Sequence, residues 1–296
     1  MWCIVGTLPN AGAGLLTVGL EADSRVEDSR LLLPGGHAVP VRRGTAALAA
    51  AAIMTCQELG LASPRLLLAG DVGDGAGSRA VYAWLEEHLP ELAPDGLTFH
   101  YLFPDVDGHN RVLMAAQALP QRPVLVADAG FMYAAKMSGY ADRYDLFTPD
   151  IGELAFLADE KAPHPFYTRG FLLAREDDAL PLIRRAAAHG NCPRHLLVKG
   201  STDYVVTDGN VTDTVKEPAV PAMECIGGTG DLLAGLVTAF LCGNAPLREA
   251  CAAASRTARR LAAHCAPDPG TSIDSLIARL PAVLRRAGDI LPPFRT

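Results

Sequence analysis

The sequence predicts an α/β protein of the doubly wound class, with a mostly parallel central sheet and helices on both faces. Apolar runs of strand length alternate with longer helical segments, and each run ends at a polar residue or a glycine. These runs are residues 65–69, 124–127, 144–147 and 195–198. Continuous apolar strands are typical of parallel sheets covered on both faces. Ligands of such sheets bind at the carboxyl ends of the strands.

Helical patterns fill the segments between the strands, as βαβ units require. We expect helices at the following positions: 44–60, 76–89, 109–118, 151–158 and 180–189, and then 230–242, 246–265 and 272–286 in the C-terminal third. A hairpin is also predicted, because Tyr204–Val206 and Val211–Thr214 flank the turn sequence Asp208-Gly209-Asn210.

The pattern indicates one domain over residues 1–296, since the sequence shows no repeat and no long linker. The motifs described below lie within residues 40–245. Residues 1–40 are expected to form an N-terminal extension that the pattern does not assign to an element. The aromatic and basic segment 163–169 suggests a lid or a contact between subunits.

Composition and charge exclude several classes of function. The 296 residues are 49% hydrophobic and include 26 Lys and Arg against 33 Asp and Glu, a net charge of −7. An acidic chain without a basic cluster is poorly suited to nucleic acid or to an anionic membrane. No apolar run approaches the roughly 20 residues that span a bilayer, and no signal-peptide pattern is found. The seven scattered cysteines lack disulfide or zinc spacing. We expect a cytoplasmic protein with a small-molecule substrate.

The strongest motif is the run Gly227-Gly228-Thr229-Gly230-Asp231, directly before an apolar helix. A glycine-rich turn lets backbone N–H groups converge, and a helix N-terminus carries partial positive charge. Together they suit a phosphate or a phosphoryl group in transfer. Asp231 is also an ordinary residue for the first turn of a helix, where it would only cap the helix. The glycines next to it favour phosphate chemistry.

A second glycine-rich loop, residues 70–79, follows a predicted strand. It has neither the G-x-G-x-x-G fingerprint of a dinucleotide site nor the Walker pattern of a P-loop. Asp71 and Asp74 in this loop could contact a ribose or hold magnesium, or they could be solvated. We expect this loop to face a ligand. The alternative is a tight turn in which Ser78 caps the next helix.

Two further strand ends carry candidate ligands. Asp150 and Glu153 lie three residues apart at a helix start, where they could hold a hydrated Mg²⁺ ion or form a capping box. Lys199 and Gly200 follow the strand 195–198, where the lysine could meet nucleotide phosphates or pair with a neighbouring carboxylate. For the polar residues of segment 98–111, loop and capping roles are favoured over a metal site.

These motifs, taken in order, resemble those of the ribokinase-like superfamily, and most of all those of its ATP- or ADP-dependent NAD(P)H-hydrate dehydratases. Segment 43–48 resembles the G-A-A-like start of the first helix, and 148–153 resembles a T-P-H-x-G-E-like motif. Lys199-Gly200 resembles the K-G segment, and residues 228–235 match the G-T-G-D-x-L-A-G signature. Asp150 stands where the dehydratases usually have histidine and the superfamily's kinases usually have asparagine.

The resemblance implies a ribokinase-like fold and a repair reaction that uses ATP or ADP with Mg²⁺. Asp231 would accept the proton of a substrate hydroxyl as this hydroxyl attacks the terminal phosphate. The phosphorylated hydroxyl of the NADH or NADPH hydrate would then leave as phosphate. The other implied site residues are Gly227, Gly228, Thr229 and Gly230 for the phosphoryl group, Lys199 and Gly200 for the nucleotide, Gly44 and Thr45 for the substrate, and Asp150 and Glu153 for the metal. Asp71 and Asp74 are further candidates for the substrate, from their place in the second glycine-rich loop.

Two other functions stay open at this point. A small-molecule kinase of the same fold would share the first half of the reaction and leave the phosphate on a sugar-like or vitamin-precursor alcohol. A nucleotide-binding regulatory protein without turnover would have no need of the base Asp231. The alanine-rich helices and the habit of the family also predict a homo-oligomer.

Overall fold

The computed structural model describes residues 1–9, 15–16, 24–165, 168, 178–292 and 294. The chain is organised in two compact units. Unit 1 comprises Met1–Trp2, Thr17–Leu67 and Val215–Thr296, and unit 2 comprises Cys3–Leu16 and Leu68–Thr214. The single domain expected over residues 1–296 stays a prediction.

The described residues form twelve strands and ten α-helices. The strands are β1 (Trp2–Leu8), β2 (Leu15–Leu16), β3 (Arg25–Glu27), β4 (Arg30–Leu33), β5 (His37–Pro40), β6 (Arg65–Gly70), β7 (Gly96–His100), β8 (Val124–Ala127), β9 (Leu146–Phe147), β10 (His195–Val198), β11 (Asp203–Thr207) and β12 (Asn210–Val215). The helices are α1 (Thr45–Leu59), α2 (Ala76–Leu92), α3 (Val106–Gln117), α4 (Gly130–Met137), α5 (Ile151–Ala158), α6 (Ala179–Ala188), α7 (Thr229–Cys242), α8 (Leu247–Cys265), α9 (Ile273–Ile277) and α10 (Leu280–Leu284).

The main sheet lies almost entirely in unit 2. Within the described residues it has nine strands, in the order β12-β11-β10-β9-β8-β7-β1-β6-β2. The central pairs β7–β8, β8–β9 and β9–β10 are parallel, whereas β10–β11 and β2–β6 are antiparallel. The predicted hairpin is confirmed as β11–β12, with Asp208 and Gly209 both at positive φ in its turn. The expected alternation of strands and helices is confirmed from β6 to β10.

Unit 1 contains α1, the helices α7 to α10 and a small antiparallel sheet of β3, β4 and β5. Helix α1 packs against α7, α9 and α10. At Gly235 of α7 the two long helices approach closely, because a Cβ there would meet the backbone oxygen of Leu48 and lie 2.9 Å from the Cβ of Ala51. Small residues allow such an approach of two helix backbones.

The alanines of α1 serve this packing inside unit 1. Residues 46, 47 and 49–52 of the helix are alanines with 0–3% of their surface exposed. They therefore form no exposed surface to which a second copy could bind. The homo-oligomer stays a prediction, but the alanine content of α1 does not support it.

The predicted single helix 272–286 is wrong. The structure has two short helices there, α9 and α10, with Arg279 as the N-cap of the second. Pro281 lies in the first turn of α10. Proline has no N–H and its ring clashes with the carbonyl four residues earlier, which here belongs to the last residue of α9. One continuous helix is therefore excluded.

The N-terminal residues 1–40 contribute β1 and β2 to the main sheet and β3 to β5 to unit 1. Residues 10–14 and 17–23 lie outside the described residues. Phe166, Tyr167 and Arg169 of segment 163–169 also lie outside them, so the lid or subunit contact stays a prediction. Among the described helices, none combines the length and the apolar character needed to cross a membrane.

Candidate functional site

The glycine-rich turn before α7 is the first part of the site. Gly228, the N-cap of the helix, has a φ of 98°, in the left-handed region. A Cβ at this position would also lie 3.1 Å from Cγ1 of Ile273, so glycine is required by conformation and by space. At Gly227, nothing lies within 4 Å of the position of a Cβ. The first-turn N–H groups of Thr229 and Gly230 have no acceptor within the helix, which suits an anionic ligand.

Asp231 in the first turn of α7 is held by the start of α1. Only 9% of Asp231 is exposed, and its Oδ2 accepts a 2.5 Å hydrogen bond from the backbone N–H of Gly44. Gly44 is the N-cap of α1 and has a φ of 68°. Thr45, the first residue of α1, is buried. The structure therefore brings together two predicted site residues that come from separate motifs, and it fixes the orientation of the carboxylate.

The carboxyl edge of the unit 2 sheet collects side chains from neighbouring strands. Lys199 follows β10, and its Nζ lies 2.9 and 3.0 Å from the two carboxylate oxygens of Asp128, which follows β8. Asp128 is 2% exposed. The backbone of Lys199 also bridges in parallel to Asp150, beyond the end of β9. Of the two roles considered for Lys199, pairing with a carboxylate is the one that the structure shows.

The site predicted from the sequence does not include Asp128, and the loop or capping role expected for His100 in segment 98–111 is wrong, because His100 is the last residue of β7. His100 is fully buried, and its Nε2 lies 3.9 Å from Oδ2 of Asp128. Both residues carry a signal that could have identified them, because each is the polar residue at the end of a buried apolar strand. Asp128 directly follows the run 124–127, which the sequence already indicates as a strand.

Gly200 makes a local contact. Its backbone N–H donates to Oδ1 of Asp203 at 3.1 Å, within the turn that leads into β11. Asp203 is buried. The expected contact of Gly200 with a nucleotide stays a prediction.

Asp150 and Glu153 form a reciprocal capping box at the start of α5. The N–H of Glu153 donates to Oδ1 of Asp150, and the N–H of Asp150 donates to Oε2 of Glu153, both at 2.8 Å. The hydroxyl of Tyr133 donates to Oε1 of Glu153 at 3.3 Å. Burial, and next the Asp150 carboxylate, raise the pKa of Glu153 to about 8, although Lys199 opposes this shift.

These two carboxylates fit a hydrated cation. Burial and the Asp150 carboxylate disfavour the ionised form of Glu153, and a cation beside the pair would favour it. Mg²⁺ often uses one or two carboxylates and keeps several waters. In the described part of the chain, no three His, Cys, Asp or Glu side chains come together as a metal-binding group. A Mg²⁺ ion bound by Asp150 and Glu153 would take its other ligands from water or from a nucleotide.

Asp71 organises the glycine-rich loop after β6. Its Oδ1 accepts the N–H groups of Gly73 and Gly75 at 2.9 and 3.1 Å. Its Oδ2 accepts the N–H of Ser78 at 3.0 Å and the hydroxyl of Ser78 at 2.9 Å. Burial alone would raise the pKa of Asp71, but these hydrogen bonds outweigh burial and the pKa is lowered. The carboxylate is therefore ionised, and the loop is arranged around it.

The structure of this loop decides the role of Ser78 but does not test substrate binding. Gly75, with a φ of 76°, is the N-cap of α2, so the alternative in which Ser78 caps this helix is wrong. Asp74 is exposed, and its Oδ1 accepts the N–H of Ala76 at 3.0 Å. Substrate binding by Asp71 and Asp74 stays a prediction.

Comparison with known proteins identifies the family. A model of the NAD(P)H-hydrate dehydratase family matches residues 104–280, which is more than half of the chain. The chain belongs to the NAD(P)H-hydrate dehydratase family. An uncharacterised protein of Methanocaldococcus jannaschii is 36% identical to this family member over 220 residues, 74% of this chain and 90% of the relative.

Two relatives with named activities match shorter stretches. The ADP-dependent (S)-NAD(P)H-hydrate dehydratase of Cenarchaeum symbiosum is 34% identical over 128 residues, 43% of this chain and 39% of the relative. The bifunctional NAD(P)H-hydrate repair enzyme of Pyrobaculum aerophilum is 36% identical over 143 residues, 48% of this chain and 26% of the relative. The match therefore spans less than half the length of each of these two relatives.

Solved structures establish the fold of this dehydratase family member. A ribokinase-like superfamily protein from Enterococcus faecalis has a TM-score of 0.57 at 15% identity, covering 97% of this chain and 87% of the other. The ADP/ATP-dependent NAD(P)H-hydrate dehydratase of Bacillus subtilis, co-crystallised with ATP and Mg²⁺, has a TM-score of 0.56 at 16% identity, covering 97% and 89%. The fold is ribokinase-like, and the α/β fold class predicted from the sequence is confirmed.

Proposed function

We propose that this protein uses ATP or ADP to phosphorylate the hydroxyl of hydrated NADH or NADPH, and that elimination of phosphate then restores NADH or NADPH. The observation that carries the proposal is Asp231, a buried carboxylate at the N-terminus of α7 whose Oδ2 accepts the N–H of Gly44. Membership of the dehydratase family supports the reaction class. The relative named as an ADP-dependent dehydratase supports a nucleotide as phosphoryl donor.

Asp231 would act as the base of the first step. The substrate hydroxyl gives its proton to the Asp231 carboxylate while its oxygen attacks the terminal phosphorus of the nucleotide, and the shortened nucleotide leaves. A carboxylate suffices, because phosphoryl transfer depends mostly on positioning and on stabilisation of charge. The N–H groups of Gly228, Thr229 and Gly230 would receive the negative charge of the transferring group. Gly227 would belong to the same phosphate site, and nothing lies within 4 Å of the position of a Cβ there.

The other predicted site residues would bind the reactants. Lys199, oriented by Asp128, and Gly200 would contact the nucleotide, and Gly44, Thr45, Asp71 and Asp74 would contact the substrate. Asp150 and Glu153 would hold Mg²⁺, which supplies positive charge to nucleotide oxygens when it is bound. Cytoplasmic location, homo-oligomeric assembly and the lack of a nucleic-acid partner stay predictions from the sequence.

The decisive experiment measures recovery of NADH absorbance from purified NADH hydrate, and of NADPH from its hydrate, with Mg²⁺ and either ATP, ADP or no nucleotide. We expect recovery that requires a nucleotide and that distinguishes ATP from ADP. Failure with both nucleotides, in a protein that binds one of them, would overturn the dehydratase proposal. It would favour the kinase alternative, which a screen of alcohols for nucleotide consumption would test.

Replacing Asp231 with asparagine tests the proposed base. Asp231→Asn keeps the shape of the side chain but removes the proton acceptor, so we expect recovery to be abolished while nucleotide affinity, measured by calorimetry, stays within about threefold. Asp289→Asn is the matched control, because Asp289 is an exposed carboxylate of unit 1 that pairs with Arg260. Unchanged turnover in Asp231→Asn would remove Asp231 from the mechanism.

A further inference from the structure

Helix α4 carries a buried lysine, Lys136, whose ammonium group meets the end of helix α5. Only 8% of Lys136 is exposed. Its Nζ donates to the carbonyl oxygens of Phe156 at 2.7 Å, Asp159 at 2.5 Å and Ala162 at 3.3 Å. The Nζ also lies 3.8 Å from the centre of the Phe156 ring. An ammonium group is costly to bury unless its hydrogen bonds are satisfied, and here three carbonyls and an aromatic face satisfy them.

The position of these carbonyls explains why a cation is stable there. They belong to the last turn of α5 and to the segment after it, where carbonyls lack helical partners and the helix dipole is negative. Burial lowers the pKa of Lys136 to about 8, with Asp159 opposing the shift, so the charged form predominates at neutral pH. Arg185 of α6 donates to the carbonyl of Ala158 at 3.1 Å, but this arginine is exposed. Water can replace Arg185 more easily than it can replace Lys136.

Helix α4 also contacts the other end of α5. Tyr133, one turn before Lys136, donates to Glu153 in the first turn of α5. The Tyr133 ring packs edge-on against Phe156 with 5.4 Å between the ring centres. Helix α4 itself begins two residues after Asp128, the partner of Lys199. One helix therefore fixes both ends of α5, relative to the strand end that carries the Asp128–Lys199 pair.

We propose that Lys136 is a positioning residue that holds α5, and with it Asp150 and Glu153, in the geometry that binds a divalent cation. The inference rests on the proposed function only for the assignment of the cation to these two carboxylates. Lys136 touches neither carboxylate and acts through the helix. Loss of the ammonium removes a donor from all three carbonyls: Phe156 keeps the N–H of Asp159, and the buried carbonyl of Ala162 loses the Lys136 donor. The end of α5 relieves this by moving or fraying.

The test compares two substitutions at the same end of α5. Lys136→Met retains the volume of the side chain but removes its charge, and Arg185→Met removes the exposed cation. We expect Lys136→Met to lower the Mg²⁺ affinity about 10- to 100-fold, as loss of a residue that orients metal ligands does. This affinity is measured from the Mg²⁺ dependence of ATP or ADP binding. Amide hydrogen exchange at Glu153 and Leu154 should become faster, while exchange in α7 stays as in the wild type. Arg185→Met should leave both measurements near the wild-type values.

Several results would overturn the proposal. They are unchanged exchange at the start of α5 in Lys136→Met, equal effects of Lys136→Met and Arg185→Met, or a uniform rise in exchange that includes α7. The last result would show only a general loss of stability. Lys136→Arg serves if Lys136→Met does not fold, because it keeps a cation and several donors and should recover part of the Mg²⁺ dependence. No recovery in a folded Lys136→Arg protein would also count against the proposal.

The same measurements separate this inference from the proposed function. If the wild-type protein restores no NADH from the hydrate, but Lys136→Met still loosens the start of α5 and Arg185→Met does not, the dehydratase reaction fails and the positioning role stands. If the wild-type protein restores NADH and Lys136→Met changes neither exchange nor Mg²⁺ dependence, the positioning role fails and the reaction stands.

Discussion

Among single residues, Asp128 determines the position of Lys199. The lysine is a candidate ligand for nucleotide phosphates, and both oxygens of the Asp128 carboxylate hold its ammonium group. The side chains of Lys199 and Asp128 are 13% and 3% exposed, so solvent screens this ion pair little. Removal of one partner of such a pair leaves an uncompensated charge in a poorly solvated place. We therefore expect Asp128 to affect both the stability of the protein and the position of the Lys199 ammonium at the carboxyl edge of the sheet.

Asp128→Asn should lower the free energy of unfolding by about 3 kcal/mol, because the Lys199 ammonium loses the carboxylate that holds it with both oxygens in a place shielded from solvent. Urea denaturation at neutral pH measures the change. Asp289→Asn, which breaks an exposed pair with Arg260, should leave the urea midpoint unchanged. Equal midpoints for Asp128→Asn and the wild type would show that the Asp128–Lys199 pair contributes nothing net to stability.

Between elements, the contact of α1 with α7 links two parts of the predicted site. Gly44 precedes the first turn of α1 and Asp231 lies in the first turn of α7, and one hydrogen bond joins them. The close approach at Gly235, one turn further along α7, sets the spacing of the two helices. This gives the last glycine of the G-T-G-D-x-L-A-G signature a packing role, which differs from the phosphate role proposed for the first two.

Gly235→Ala should force α1 and α7 apart, because the added methyl group would meet the backbone oxygen of Leu48, which cannot rotate away. We expect a loss of about 1–3 kcal/mol in stability, the usual cost of overpacking, and a lower turnover. Thermal unfolding and hydrate turnover measure the two effects. Gly288→Ala is the control, since nothing lies within 4 Å of the position of a Cβ at Gly288. The same melting temperature in both variants would contradict the packing role.

The elements that could be predicted from the sequence are those whose pattern is complete within a short segment. Helix α5 begins and ends where its pattern indicates, because an acidic capping pair precedes an apolar segment. Strand β1 was not predicted, since its apolar run at residues 2–5 is followed by no helical pattern that would identify a βαβ unit. The break between α9 and α10 depends on the single residue Pro281 within an otherwise helical pattern.

The site was predictable as residue types but not as contacts. Lys199, Asp150 and Glu153 could be identified because polar residues at strand ends meet at one edge of a parallel sheet. The hydrogen bond between Gly44 and Asp231 joins residues 187 positions apart, and no local pattern shows that they meet. Asp128 and His100 differ from this case, because each stands at the end of a buried apolar strand, and only the contacts of Asp128 with His100 and with Lys199 depend on the fold.

The buried histidine His109 couples the stability of the folded protein to pH. His109 is fully buried in unit 2, where its Nε2 lies 2.8 Å from the hydroxyl of Tyr144 and its Nδ1 lies 3.0 Å from Oδ1 of Asn110. The amide oxygen of Asn110 can only accept, so Nδ1 carries the proton and Nε2 accepts from Tyr144. Burial lowers the pKa of His109 to about 4. The folded protein therefore contains a neutral imidazole over most of the acidic range.

The sign of the pH effect follows from proton binding in the two states. In the unfolded chain a histidine has a pKa of about 6.5, so between that value and about 4 the unfolded state binds more protons than the folded state. Stability is therefore lost as the pH falls through this window. For His109 alone the loss amounts to about 2 kcal/mol between about pH 7 and about pH 5. Other groups that titrate in the same window contribute equally to the wild type and to a variant at this position.

His109→Gln should therefore make the protein less sensitive to acid, although it can lower stability at neutral pH. Glutamine offers a carbonyl to the Tyr144 hydroxyl and has no proton to gain in this range. Urea unfolding at several pH values gives the free energies of unfolding of the two proteins. On acidification from about pH 7 to about pH 5, the wild type should lose about 2 kcal/mol more than the variant. His189→Gln, which removes an exposed histidine of the same unit, should keep the wild-type dependence. Parallel curves for His109→Gln and the wild type would show that His109 binds protons equally in the folded and unfolded states, and would contradict an imidazole that burial keeps neutral.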